Sequence, residues 1–149
     1  MTPFDPRRRH ALALGTGLAA GLVVRPGAAA TGDLAAAIAT FTGGRTPQPG
    51  RVRLDISTLV ENGNAVPVTL SVDEGIALPT LRSLALFNER NPQRDVARFR
   101  FGPASGRAWA ATRIRLATSQ KLVAVALMED GAAFSHTVDV VVTLAACIE

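Results

Sequence analysis

From residue 51 onward, hydrophobic and polar positions alternate with a period of two. Val52, Leu54 and Ile56 fall on one side of an extended segment and Arg51, Arg53 and Asp55 on the other, as on a strand with one buried face. After Glu61-Asn62-Gly63-Asn64, whose composition predicts a turn, Val66, Val68, Leu70 and Val72 form the next inward row. A third run covers 81–88 and leads into a polar loop through Pro92. In 96–101, Ala97, Phe99 and Phe101 oppose Arg98 and Arg100, and Gly102-Pro103 stops the strand because proline donates no ladder hydrogen bond. In 108–116, Ala110, Thr112, Ile114 and Leu116 point inward against Arg113 and Arg115. Runs over 121–128 and 133–144 flank Glu129-Asp130-Gly131, a hairpin signal. Seven short strands with no helices alternating between them predict an all-β fold, an antiparallel sandwich.

Ahead of the strands the period changes. Leu34, Ala37, Ile38 and Phe41 recur at helical spacing, Asp33 is placed to cap their N-terminus, and Gly43-Gly44 is placed to end the helix. The segment 46–50, rich in proline, glycine and glutamine, reads as a linker. The first thirty residues read as an address. Arg7-Arg8-Arg9-His10 is a positive region, 11–24 is apolar and made largely of small residues, and Ala28-Ala29-Ala30 is a small-residue cleavage signal. The apolar run is too short for an ordinary membrane span, and its paired arginines and weakly hydrophobic core resemble a twin-arginine signal. The expected organisation is therefore a cleaved export signal over 1–30, a β-sandwich with its N-terminal helix over 31–144, and a C-terminal arm over 145–149, in a periplasmic protein without stable membrane insertion.

Composition narrows the chemistry. Of 149 residues, 48% are hydrophobic, enough for one core, while Tyr is absent and Trp occurs once, which disfavours an aromatic-lined cofactor pocket. The net charge of +4 suggests phosphate binding only until its position is considered. The first thirty residues hold four of the 16 basic and one of the 12 acidic residues, leaving 12 against 11. A near-neutral domain lacks the electrostatic footprint of a nucleic-acid binder.

Candidate catalytic groups are scarce. His10 lies in the signal, and His136, alone on the last strand, has no clustered partner with which to ligate a metal. There is no nucleophile-elbow pattern, no His–Asp arrangement and no phosphate-binding glycine loop, so no catalytic residue, metal or cofactor is expected. Cys147 is the single cysteine and cannot form an internal disulfide. It is either a bland core thiol or an exposed one available to sulfur chemistry and intermolecular disulfides. Arg98, Arg100, Arg113 and Arg115, with Trp109 among them, form either a solvated strand face or a partner interface, since Trp and Arg anchor interfaces.

Several blocks in order resemble one family. The export signal, the short helix, Glu61-Asn62-Gly63-Asn64-Ala65-Val66-Pro67-Val68, Phe99-Arg100-Phe101-Gly102-Pro103, Thr112-Arg113-Ile114-Arg115-Leu116-Ala117 and a C-terminal cysteine are similar to SoxY, the sulfur carrier of periplasmic thiosulfate oxidation. The resemblance runs from about Leu34 to Cys147. It implies an immunoglobulin-like sandwich that pairs with a SoxZ-like subunit as a heterodimer. It also implies that thiosulfate-derived sulfur is carried as a covalent adduct on Cys147 and presented to periplasmic Sox enzymes, the chain itself being a carrier and no enzyme. The family frames its cysteine with glycines, whereas this chain reads Ala145-Ala146-Cys147-Ile148-Glu149. The alternative is a SoxY paralogue that acts as an interaction module with a SoxZ-like partner and carries no sulfur.

Overall fold

The structure, a computed structural model, describes residues 33–147. The expected export signal and the last two residues lie outside that range. Helix α1, Leu34–Thr42, starts where Asp33 accepts a hydrogen bond from the Ala35 N–H at 3.0 Å. It ends at Gly43, whose left-handed conformation (φ 66°) returns its N–H to the Ala39 carbonyl.

Nine strands follow among the described residues: β1 Gln48–Pro49, β2 Val52–Asp55, β3 Leu59–Val60, β4 Val66–Val72, β5 Leu81–Asn88, β6 Asp95–Phe99, β7 Trp109–Ile114, β8 Gln120–Met128 and β9 Ala133–Val142. The larger sheet runs β1-β9-β8-β5-β6, with β3 also on β9, and the smaller runs β2-β4-β7. All the long pairings are antiparallel, giving an immunoglobulin-like sandwich.

Each of the seven predicted runs forms a strand. The two additions, β1 and β3, are two-residue pieces that pair parallel to β9. The predicted linker therefore contains a ladder contact of its own, Gln48 opposite Phe134 and Pro49 opposite Ser135. The last strand stops at Val142, two residues before the predicted Leu144.

Alternation explains the two layers of apolar packing. Leu54, Val66, Val68 and Leu70 from the small sheet meet Leu84, Leu86, Leu122, Ala124 and Ala126 from the large one. The opposite face of the large sheet presents Ala85, Phe87, Val123, Val125 and Leu127, and α1 covers it with Phe41, Leu34, Ala37 and Ile38. Phe41 meets Phe87 edge to face, with ring centroids 5.6 Å apart. Strands β5 and β8 are thus buried on both faces, which accounts for their nearly unbroken apolar composition. Closing the sandwich takes these apolar faces out of water, the dominant favourable term in folding.

His136 joins the two sheets. It sits on β9 opposite Ala124, and its Nδ1 accepts the Leu54 backbone N–H from edge strand β2 at 3.0 Å. Leu54 is 3% exposed, so its amide has little access to water as a substitute partner. Replacing His136 with Leu is expected to lower stability by about 1–3 kcal/mol, because a largely buried donor loses its acceptor. Urea unfolding of H136L checks this, and an unchanged midpoint contradicts the inter-sheet role.

Candidate functional site

The one thiol lies where three chain segments meet at one end of the sandwich. Strand β9 carries the chain there along β3, with the Val141 N–H donating to the Thr58 carbonyl (2.8 Å) and the Thr143 N–H to that of Val60 (3.0 Å). The Thr143 hydroxyl also donates to the Glu61 carbonyl at 3.1 Å. Beyond the strand the zipper continues through Gly63. Its N–H donates to the Leu144 carbonyl (2.8 Å), and its own carbonyl accepts the Leu116 N–H (2.8 Å). The Leu116 carbonyl accepts the Ala146 N–H at 2.9 Å. Apart from the Thr143 hydroxyl, every link is a backbone hydrogen bond, which only a substitution to proline deletes outright.

Gly63 is required here for space. It is buried, and a Cβ would collide with the Leu116 carbonyl oxygen and lie 3.0 Å from the Ala146 nitrogen and 3.2 Å from the Leu144 oxygen. Those three atoms are backbone and cannot swing aside. Asn62 shapes the turn, its Oδ1 accepting the Asn64 N–H at 3.0 Å. The predicted turn is present, and it also holds the root of the C-terminal segment. Of the expected arm, Ala146 still belongs to the body, being 8% exposed and hydrogen-bonded, while Cys147, the next residue, is exposed. Leu59 and Val141, cross-strand neighbours on the approach to it, are 57% and 54% exposed, and Leu144 is 59% exposed.

Of the arginines and tryptophan read as a partner interface, Trp109 and Arg113 share a face, and Arg98 lies on another. Arg98 lies on β6 opposite Ala85, so it shares the helix-covered outer face of the large sheet. Its guanidinium sits 5.1 Å from the Phe41 ring centroid and pairs with Asp95. Arg100 follows the end of that strand and is exposed. Trp109 and Arg113 lie on β7, at the edge of the small sheet, on its outer face. Trp109 is 45% exposed and Arg107 stacks over it, 5.3 Å from the ring centroid. Arg115 lies past the end of β7, its carbonyl accepting Asn91 Nδ2 at 2.7 Å. Alternation indicates which side of a strand a residue occupies but not which sheet owns the strand, and β6 and β7 belong to different sheets.

A shallow cleft of about 340 Å³ beside Arg115 is lined by Asn88, Asn91 and Gln93. Its polar groups are engaged in holding loops. Asn91 Oδ1 accepts both the Ala117 N–H and Gln120 Nε2, and Asn88 Nδ2 donates to the Gln93 carbonyl. Among the described residues no group of three His, Cys, Asp or Glu side chains could hold a metal ion, and no helix is long and apolar enough to cross a membrane.

An antiparallel sandwich whose only thiol emerges directly after a backbone clamp defines a thiol-presenting β domain. The family model for sulfur oxidation protein SoxY matches residues 38–147, and the chain belongs to the SoxY family. No curated protein matches it. Among solved structures it is similar to the superoxide reductase (neelaredoxin) from Ignicoccus hospitalis. One structure of that protein shows 17% identity over 62% of this chain and 80% of the other, with a TM-score of 0.52. A second shows 17% identity over 61% and 79%, with a TM-score of 0.51. At that identity the likeness shows the shared sandwich fold alone.

The exposed position of Cys147 predicts that native protein reacts with one equivalent of a thiol reagent such as Ellman's disulfide, and that C147S reacts with none. A thiol that reacts only after denaturation contradicts this placement.

Proposed function

We propose that this chain carries thiosulfate-derived sulfur covalently on Cys147 and presents it to periplasmic enzymes of sulfur oxidation. The observation that carries the reading is the exposed single thiol one residue beyond a hydrogen-bonded backbone, in a chain of the SoxY family. Loading joins the Cys147 thiolate to the outer sulfur of thiosulfate, forming one S–S bond. The thiol proton is released, and two electrons pass to a partner oxidase that serves as acceptor. The carrier supplies the nucleophilic sulfur and its location; the oxidant comes from the partner. Removal of the sulfonate by hydrolysis and oxidation of the remaining sulfur belong to further enzymes, each of which must meet the same residue.

The carrier works as a heterodimer with a SoxZ-like subunit, and β7 is the face proposed for it. Trp109 is a large, half-exposed aromatic on an edge strand, with Arg107 stacked over it and Arg113 on the same outer side. Arg98, which packs over Phe41 on the opposite outer face, is left out of this interface. Leu59, Val141 and Leu144 give the enzymes an apolar surface beside the arm. Export through a twin-arginine-like signal places the chain in the compartment where those enzymes act.

Incubation with thiosulfate and the partner oxidase is expected to add the mass of one thiosulfate-derived group to the wild type and none to C147S, with the two proteins equally stable. A wild type that stays unmodified overturns the carrier reading and leaves the interaction-module alternative. For the heterodimer, W109A and R113E are each expected to weaken co-purification of the SoxZ-like subunit about tenfold or more, as loss of an interface anchor does. R98E is expected to leave it unchanged. The reverse pattern moves the interface to the large sheet.

A further inference from the structure

Cys147 follows directly on an anchored residue. Consecutive Cα atoms are about 3.8 Å apart, so the cysteine backbone cannot stray further than that from Ala146 while the Ala146 amide stays bonded to Leu116. Leu116 is 0% exposed and anchored in the core between the sheets. Its neighbour in the chain of bonds, Gly63, is fixed from both sides, by Leu144 through its N–H and by Leu116 through its carbonyl. The position of the thiol is therefore referred to the rigid core through two residues, and Gly63 sits at the crossing.

We infer that Gly63 is a positioning residue for Cys147: its missing Cβ lets the Leu116, Leu144 and Ala146 backbones close together, so that the thiol is presented at a fixed place on the end of the sandwich. This rests on the carrier reading above for its use, though not for its geometry. The alanines at 145 and 146 suit such a mount. Ala146 must fit within the body, at 8% exposure, and alanine restricts the backbone more than glycine does. A thiol held this way meets its enzymes at a defined distance from the carrier's surface, so orientation is supplied before encounter.

Gly63→Ala should force the three backbones apart at the arm root, where Leu116 is the core residue that meets residue 63, while the central strands β5 and β8 remain paired. Three readouts separate positioning from general stability. Hydrogen exchange at the Ala146 amide is expected to speed up by about tenfold or more in G63A, with the Leu86 and Val125 amides unchanged, as in a local opening. A nitroxide attached to Cys147 is expected to become more mobile in the same variant. Partner-catalysed loading at saturating partner is expected to fall about tenfold, as misplacement of a reacting group does, whereas alkylation by iodoacetamide, which needs no orientation, changes less than about twofold.

A146P is the independent variant, because it deletes the donated N–H next to the thiol and leaves residue 63 intact. It should reproduce both the mobile label and the slow loading, which covers the case of a G63A protein that does not fold. A label equally mobile in the wild type, or loading retained in a variant whose label has become mobile, overturns the inference. A wild type that shows a restrained label yet acquires no sulfur instead sinks the carrier reading and leaves the positioning geometry standing.

Discussion

The hydrogen bonds that converge on Gly63 tie the chemistry of this protein to its fold. One residue without a side chain lets the turn after β3, the segment after β7 and the segment after β9 share a single backbone network. The sandwich supplies these segments from both of its sheets, since β7 belongs to the small sheet and β9 to the large one. The clamp therefore exists only when the two sheets are correctly packed, and the thiol position reports on the whole fold. Polar backbone groups that would otherwise be stranded at the end of the sandwich become the mount for Cys147.

The same logic of joining the sheets recurs away from the site. His136 reaches from β9 to the edge amide of Leu54 on β2, and the short parallel strands β1 and β3 fasten otherwise loose segments to β9. Strand β9 is thus the organising element, antiparallel to β8 for most of its length and parallel to two short pieces along its other edge. Covering that edge also leaves fewer unpaired backbone groups open to association with another sheet.

Much of this could be read from the residues. Alternation located the strands with one buried face, unbroken apolar runs located β5 and β8, which are buried on both, and Asp33 and Gly43 marked the helix because their capping roles are local. The remainder depended on tertiary position. Gln48–Pro49 and Leu59–Val60 are too short to carry a periodic signal, and they form strands only because β9 passes beside them. Asn62-Gly63-Asn64 was recognisable as a turn, but its role at the arm root follows from Leu116 and Ala146 arriving there, which no local pattern encodes. Arg98 and Arg113 share an outward phase along the sequence yet lie on opposite outer faces, because β6 and β7 end up in different sheets.

The proposed carrier differs in physical character from a thiol on a freely swinging tail. The tether favours a defined presentation over reach, and the apolar side chains of Leu59, Val141 and Leu144 beside it offer the contact that a short reach demands. The carrier role itself is tested most directly by tandem mass spectrometry of the C-terminal peptide, taken from protein recovered from cells oxidising thiosulfate. In a working carrier a substantial fraction of Cys147 bears a sulfane sulfur with or without its sulfonate. Cys147 found only as the free thiol during active thiosulfate oxidation would contradict that role.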